Sequence, residues 1–171
     1  MPNETDIKLE RLASALGASL KSRGWLAATA ESCTGGWVAQ AITAIAGSSE
    51  WFERGFVTYS NVAKQEMLGV PAATIAANGA VSAETAAAMA RGALANSRAG
   101  LAVSITGVAG PSGGSAEKPV GTVWFGFASA TGNVVTRHRL LAGDRYLIRA
   151  QAVEFALEGL LALAANRVPE V

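Results

Sequence analysis

The sequence predicts a single-domain α/β protein, a three-layer α/β/α sandwich built on a mixed sheet. Helical and strand-like segments alternate along the first part of the chain, which is typical of parallel strands joined by helices. Two strand-like segments then follow each other across a Thr131–Gly132 turn, which indicates an antiparallel hairpin. The chain shows no linker, repeat or shift in composition. We therefore expect one domain over residues 1–171, with its core at about residues 6–165.

The individual elements follow from residue spacing and from the residues that start or stop helices. In the first helix, leucines recur at the three-and-four spacing of a buried stripe, and Gly24 is placed to end it. Thr34, Ser60 and Ser82 are each placed to cap a following helix. The expected helices are residues 6–23, Thr34 to about Ile45, 61–68, Ser82 to about Asn96, and Asp144 to about Ala165. The expected strands are residues 25–29, 52–59, 101–105, 120–128 and 134–141.

Composition excludes several classes of protein. Half of the 171 residues are apolar, which is typical of a folded globular chain. The net charge is +1 with acids and bases scattered, so the sequence gives no support for nucleic-acid binding. One cysteine and one histidine argue against a disulfide framework and against a zinc centre. The N-terminus does not resemble a signal peptide and the longest apolar tract is too short to span a bilayer. We expect a cytoplasmic protein without membrane contact.

Three polar or glycine-rich segments directly follow expected strands: residues 30–36, 59–64 and 106–114. In α/β sheets, ligands bind in crevices at the carboxyl ends of the strands. Because all three segments come at such ends, we expect them to form one pocket.

The first segment offers a nucleophile. Ser32 lies at a strand-to-helix turn, where a serine can attack a substrate if a base is within hydrogen-bond reach. Gly35 and Gly36 permit close backbone approach, and helix N-terminal amides can hold a phosphate or an oxyanion. The alternative is that Ser32 and Thr34 only cap a helix while Cys33 packs inward as a small apolar residue.

The second segment offers a base. The only histidine, His138, comes on a late strand, so an aspartate–histidine pair beside Ser32 is not evident. Lys64 can replace such a pair if burial lowers its pKa, and the Tyr59 hydroxyl can relay or steady the proton. Taken alone, the residues favour a surface lysine and a tyrosine at a sheet edge.

The third segment offers an anion site. Its amides can form a nest around a phosphate, although it matches neither a Walker loop nor a dinucleotide-binding fingerprint. The alternative is a flexible crossover loop. Arg145, at the start of the last helix, is well placed to bind a phosphate, and Arg149 follows one turn later; either can equally be an exposed ion-pair partner. The pocket residues expected here are Thr106, Gly107, Gly110, Gly113 and Gly114.

Four blocks in this order resemble the signature segments of the CinA C-terminal domain family. They are "AESCTGG", "GFVTYSNVAKQEMLGV", "SITGVAGPSGGSAEKPVGTVWFGFAS" and "GDRYLIRAQAVEFAL", and the resemblance covers about residues 6–165. It implies a three-layer fold, no metal, no redox cofactor, and nicotinamide-nucleotide amidohydrolase activity. It also implies that Ser32 is the nucleophile with Tyr59 and Lys64 as its activating partners. The implied nucleotide pocket is Thr106, Gly107 and the loop to Gly114, with Arg145 at the phosphate.

The resemblance therefore implies hydrolysis of the carboxamide of nicotinamide mononucleotide to nicotinic acid mononucleotide and ammonia. Thr34, Gly35 and Gly36 are expected to line the substrate site beside the nucleophile. Two alternatives remain: a nucleotide-binding regulatory module without activity, and an amidohydrolase for another phosphorylated amide. The sequence does not fix the oligomeric state, and a symmetric homodimer is the common assembly for small enzymes of this kind.

Overall fold

The computed structural model describes residues 1–169 and confirms the expected fold class. Its strands are β1 (Ala27–Glu31), β2 (Phe52–Val57), β3 (Leu101–Gly107), β4 (Thr122–Ser129) and β5 (Val134–Leu140). Its helices are α1 (Glu4–Arg23), α2 (Trp37–Thr43), α3 (Asn61–Leu68), α4 (Ala72–Asn78), α5 (Ala83–Ala95) and α6 (Arg145–Ala164). A single 3-10 turn, Ser48–Glu50, precedes β2. No helix within residues 1–169 combines the length and the apolarity that a bilayer crossing requires.

The sheet is mixed, with strand order β2-β1-β3-β4-β5. β1 is central among the parallel strands and pairs with β2 on one side and with β3 on the other. β4 and β5 complete the sheet as an antiparallel hairpin beside β3. The carboxyl ends of β1, β2 and β3 therefore share one edge of the sheet, and the segments that follow these strands meet there.

Helices cover both faces of the sheet, because side chains alternate along each strand. On one face, α1, α2 and α6 pack against residues that include Ala27, Val103 and Phe125. On the other face, α3, α4 and α5 pack against Ala28, Ala30 and Ala102. Small strand residues on this second side let α5 approach closely, and a Cβ added at Gly126 of β4 would lie 2.4 Å from the Ala86 carbonyl oxygen.

Most helix ends follow local sequence rules. Gly24 takes the left-handed conformation after α1, with φ of 65°. Ser60, Ser82 and Asp144 each accept a backbone N–H through their side chains and begin α3, α5 and α6. These four predicted boundaries are confirmed.

The prediction that Thr34 caps the second helix is wrong. The N-cap of α2 is Gly36, with φ of 99° and no side-chain cap of its own. The buried Glu31 carboxylate instead accepts the amides of Val38 at 2.8 Å and Ala39 at 3.0 Å. This arrangement arises because β1 extends to Glu31, whereas the apolar run predicted a strand ending at Thr29. A carboxylate at this helix N-terminus also complements the helix dipole.

The structure also contains a helix that the spacing did not indicate. α4 is a seven-residue helix, and its alanines give no apolar stripe with helical period. In addition, β3 continues two residues beyond the expected Ile105, to Gly107. The segment between α4 and α5 lies beside this extended end of β3 and becomes one wall of the pocket described next.

Candidate active site

A cavity of about 280 Å³ lies at the carboxyl ends of the three parallel strands. All three predicted segments contribute to it, as does the first residue of α6. The predicted site residues that line it are Ser32, Tyr59, Lys64, Thr106, Gly107, Gly110, Gly113 and Arg145. The structure thus brings together most of the residues that the sequence singled out.

Four predicted residues lie outside this lining. Thr34 is fully buried beneath the turn, and Gly35 and Gly36 lie beside Arg149 and Val57 respectively. Gly114 packs against the backbone of Val120, where an added Cβ would lie 2.8 Å from the Val120 nitrogen. These positions shape the turn and the loop instead of presenting groups to the cavity.

A serine–lysine pair stands at the floor of the cavity. Lys64 Nζ lies 3.1 Å from Ser32 Oγ and 3.0 Å from the Thr58 carbonyl oxygen. Lys64 comes from the first turn of α3, while the Ser32 amide donates to the Ile105 carbonyl at 2.9 Å and so fixes the serine beside β3. Both side chains are largely removed from solvent, with relative exposures of 8% for Ser32 and 1% for Lys64.

The local environment favours Ser32 over Cys33 as the nucleophile. Burial lowers the pKa of the Lys64 ammonium, partly opposed by the nearby Cys33, and so favours the neutral amine that can accept a proton. Burial also raises the pKa of the Cys33 thiol to about 11, so this cysteine is protonated at neutral pH and is a poor nucleophile. The lysine amine, 3.1 Å from the Ser32 hydroxyl, is therefore neutral more readily than an ordinary lysine.

The turn that carries Ser32 is tied down by two charged residues. Glu31 holds the first amides of α2, and Arg149 of α6 donates to the carbonyl oxygens of Cys33 and Thr34. Within the turn, the Gly35 amide donates to the Ser32 carbonyl at 3.0 Å. From the sequence alone, Arg149 has two possible roles, a phosphate-binding residue or an exposed ion-pair partner. No local signal in the sequence indicates its contact with Cys33, 116 positions away.

Tyr59 is placed differently from its expected role. Its hydroxyl accepts a hydrogen bond from Arg145 Nη2 at 3.0 Å, and the residue is 63% exposed. Among the described residues, neither Ser32 nor Lys64 is its hydrogen-bond partner. Arg145 Nη1 also donates to the Gly110 carbonyl at 2.7 Å. Arg145 therefore joins the Tyr59 segment to the glycine-rich loop across the mouth of the cavity.

The wall opposite β1 comes from residues that the sequence did not single out. Ala80 and Val81 line the cavity between α4 and α5, and the buried Thr106 hydroxyl donates to the Ala80 carbonyl at 2.7 Å. Its one proton is thereby committed, so the Thr106 side chain can only accept a further hydrogen bond. Asn61 and Ser112 also line the cavity, and they lie within the predicted segments 59–64 and 106–114.

The glycine-rich loop adopts conformations that require glycine. Gly110 and Gly113 have φ values of 76° and 88°, in the left-handed region. At Gly107, an added Cβ would lie 2.8 Å from the Thr122 carbonyl oxygen, so a side chain there would clash with β4. The loop can thus bring backbone groups close to a ligand.

The chain matches the CinA C-terminal domain over residues 9–164. It is 58% identical over 156 residues to the nicotinamide-nucleotide amidohydrolase PncC of Escherichia coli strain K12, a match that covers 91% of this chain and 94% of the relative. It is 51% identical over 152 residues to the Pseudomonas putida protein of the same name, covering 89% of this chain and 94% of that one.

Solved structures agree with this relationship. The competence/damage inducible protein CihA from Agrobacterium tumefaciens superposes with a TM-score of 0.90 at 49% identity, covering 95% of this chain and 97% of the other. A CinA superfamily protein from Klebsiella pneumoniae superposes with a TM-score of 0.88 at 39% identity, covering 92% and 98%. On the family match, the sequence identity and the shared fold together, the chain belongs to the CinA C-terminal domain family.

Proposed function

We propose that this protein is an amidohydrolase that converts nicotinamide mononucleotide and water to nicotinic acid mononucleotide and ammonia. The observation that carries the proposal is the 3.1 Å contact between Lys64 Nζ and Ser32 Oγ in a cavity. The names of the Escherichia coli and Pseudomonas putida relatives supply the substrate class. A cavity of about 280 Å³ suits the reacting end of a small nucleotide, with the remainder extending to the open mouth.

The pair can perform both halves of an amide hydrolysis. Neutral Lys64 takes the hydroxyl proton while Ser32 Oγ bonds to the carboxamide carbon, giving a tetrahedral intermediate. The lysine then gives this proton to the departing nitrogen, the C–N bond breaks, and ammonia leaves an ester on Ser32. Water attacks the ester as Lys64 takes its proton, and return of a proton to Ser32 releases the carboxylate.

The oxyanion is best matched by the Gly107 amide. The Gly35 amide is used by the Ser32 carbonyl, and the Thr106 hydroxyl by the Ala80 carbonyl. Successive amides along a strand point to opposite sides. Because the Val108 amide donates to Thr122 of β4, the Gly107 amide points toward the side of β3 where Ser32 lies. We assign it the role of donor to the developing negative charge.

The phosphate fits the mouth of the cavity, where Arg145 is held. Its two known contacts use one N–H each on Nη1 and Nη2, and a guanidinium has five N–H donors in all. The remaining donors can bind phosphate oxygens in the forked geometry that arginine favours. In this proposal Tyr59 holds Arg145 in place and takes no part in the proton transfer.

Removal of the Ser32 hydroxyl tests the proposal. We expect Ser32→Ala to abolish ammonia release from nicotinamide mononucleotide, while Ser14→Ala, on the exposed side of α1, keeps the parental rate. Near-normal turnover by a folded Ser32→Ala protein would overturn the mechanism. Calorimetric binding of the mononucleotide by the parental protein without product would instead indicate a binding module. Faster hydrolysis of a different phosphorylated amide would change only the substrate.

A further inference from the structure

Arg149 is bound at three points around the turn that carries Ser32. Its Nε donates to the Cys33 carbonyl at 3.0 Å, and its Nη2 donates to the Thr34 carbonyl at 3.0 Å. The centre of its guanidinium also lies 5.3 Å from the ring centroid of Trp37, the first residue of α2. These three contacts hold the planar guanidinium of Arg149 in a single orientation.

These contacts reach Ser32 through the backbone. The Thr34 carbonyl and the Gly35 amide belong to the same peptide unit, whose oxygen and hydrogen point in opposite directions. Arg149 holds the oxygen, and the hydrogen donates to the Ser32 carbonyl at 3.0 Å. Arg149 also binds the Cys33 carbonyl, which belongs to the Cys33–Thr34 peptide unit. Only the Ser32–Cys33 peptide unit separates this carbonyl from Ser32.

The turn needs such a restraint because of its glycines. Gly35 and Gly36 have φ values of 60° and 99° and carry no side chains that could fix the backbone. Glu31 anchors the α2 side of the turn, but its hydrogen bonds are to Val38 and Ala39, beyond the glycines. On the serine side of the glycines, Arg149 is the charged side chain that binds backbone carbonyls of the turn within residues 1–169.

We propose that Arg149 is a positioning residue that fixes Ser32 Oγ in line with Lys64 Nζ. The inference rests on the proposed function only in taking Ser32 as the nucleophile. It is independent of the substrate. A lysine keeps the charge but lacks the planar fork, so it cannot reproduce the fixed directions in which Nε and Nη2 hold the two carbonyls over Trp37.

The test uses the reactivity of Ser32 itself. A small fluorophosphonate, which labels activated serines, is added to the full-length protein, and intact-mass and peptide analysis give the rate of labelling at Ser32. We expect Arg149→Lys to slow labelling about 100-fold, the scale of loss expected when a reacting group is misplaced by about 1 Å. With nicotinamide mononucleotide, kcat falls by a similar factor while KM stays within about threefold, because ground-state binding is untouched.

Two further variants separate positioning from folding. Arg11→Lys, at an exposed position of α1, is the matched control and should label at the parental rate. Arg149→Ala opens space for a guanidinium, so added ethylguanidinium should restore part of its labelling rate. Parental labelling by Arg149→Lys, or no restoration in a folded Arg149→Ala protein, overturns the proposal. If the parental protein labels at Ser32 but does not hydrolyse the mononucleotide, the substrate assignment fails and the positioning role stands. Absence of labelling in the parental protein overturns both.

Discussion

Lys64 Nζ and Ser32 Oγ lie 3.1 Å apart with the lysine 1% exposed, and within residues 1–169 no carboxylate forms a salt bridge with that ammonium. Its polar contacts are a hydroxyl and the Thr58 carbonyl. A charged lysine in such a place loses its hydration without gaining a counter-ion, and this is why its pKa falls. The burial of Lys64 therefore favours a neutral amine beside the Ser32 hydroxyl, and a neutral amine can accept the hydroxyl proton.

The lowered pKa of Lys64 predicts the pH dependence of the reaction. The base is active when neutral, so kcat/KM should rise with pH and level off above the Lys64 pKa, which lies below the ordinary lysine value of 10.5. Initial rates of ammonia release from about pH 6 to about pH 10 measure this profile. Cys33→Ala should retain an inflection, shifted slightly to lower pH, because Cys33 opposes the fall in the Lys64 pKa and its own thiol titrates at about 11. A rate independent of pH, or an inflection that disappears in Cys33→Ala, would contradict the assignment.

Replacement of Lys64 by methionine should remove activity without loss of stability. The folded-state pKa is below 10.5, so between these two values the unfolded chain binds more protons and the stability of the parental protein rises with pH. Near neutral pH the buried charge is a cost, and Lys64→Met should be more stable by about 1 kcal/mol. Urea unfolding at several pH values should show this advantage shrinking toward pH 10.

The control for this comparison is Lys21→Met, where the lysine is exposed and pairs with Glu50 at 3.2 Å. Its stability should remain within about 0.5 kcal/mol of the parental value at every pH. An advantage for Lys64→Met that grows with pH would have the wrong sign and would exclude a depressed lysine pKa.

Arg145 should act on affinity for the phosphate. Arg145→Gln removes a charge-assisted contact worth about 1.5–3 kcal/mol, so KM for nicotinamide mononucleotide should rise roughly 10- to 150-fold. The unphosphorylated riboside is the matched substrate, and its kcat/KM should change little. Equal losses on both substrates would show that Arg145 shapes the cavity and does not bind the phosphate. Tyr59→Phe should give a smaller rise in KM, because it removes one support of Arg145 but leaves the guanidinium and its charge in place.

Thr106 should contribute to stability through the pocket wall. Thr106→Val keeps the shape but removes the 2.7 Å donor of the half-buried Ala80 carbonyl, at a cost of about 1 kcal/mol for the lost hydrogen bond. Thr106→Ser retains the hydroxyl and should lose less. Unfolding free energies in urea measure both variants. If the serine variant is the less stable of the two, the threonine methyl matters more than the hydrogen bond.

Local rules predicted the parts of the site that depend on neighbouring residues. Strand ends, caps at Ser60 and Ser82, and glycine-rich turns each result from interactions within a few positions, so the three segments could be located from the sequence. Their convergence followed from one general property of parallel strands. The grouping of Ser32 with Lys64 needed the family resemblance as well, because the residues alone favoured an exposed lysine.

Long-range contacts account for what the sequence did not indicate. Arg149 contacts the carbonyl of Cys33, 116 residues away, and the Ala80 carbonyl in the pocket wall is bound by Thr106, 26 residues away. Thr34 fits the rule for a helix cap, yet the Glu31 carboxylate accepts the first amides of α2 instead. Glu31 lies at the end of β1 because its backbone pairs with both β2 and β3. In each case a partner distant in sequence or an added strand residue decided the outcome.

The spacing of Arg145 and Arg149 on α6 allows substitutions between them but not insertions or deletions. Four positions make about one helical turn, so both guanidinium groups leave the same side of the helix. Exposed residues between them, such as Leu147, are free to vary in identity. The number of residues between the two arginines cannot vary, because deletion of one residue would rotate Arg149 by about 100° relative to Arg145. We therefore expect substitutions between the two arginines to be tolerated and length changes to displace Arg149 from the Ser32 turn.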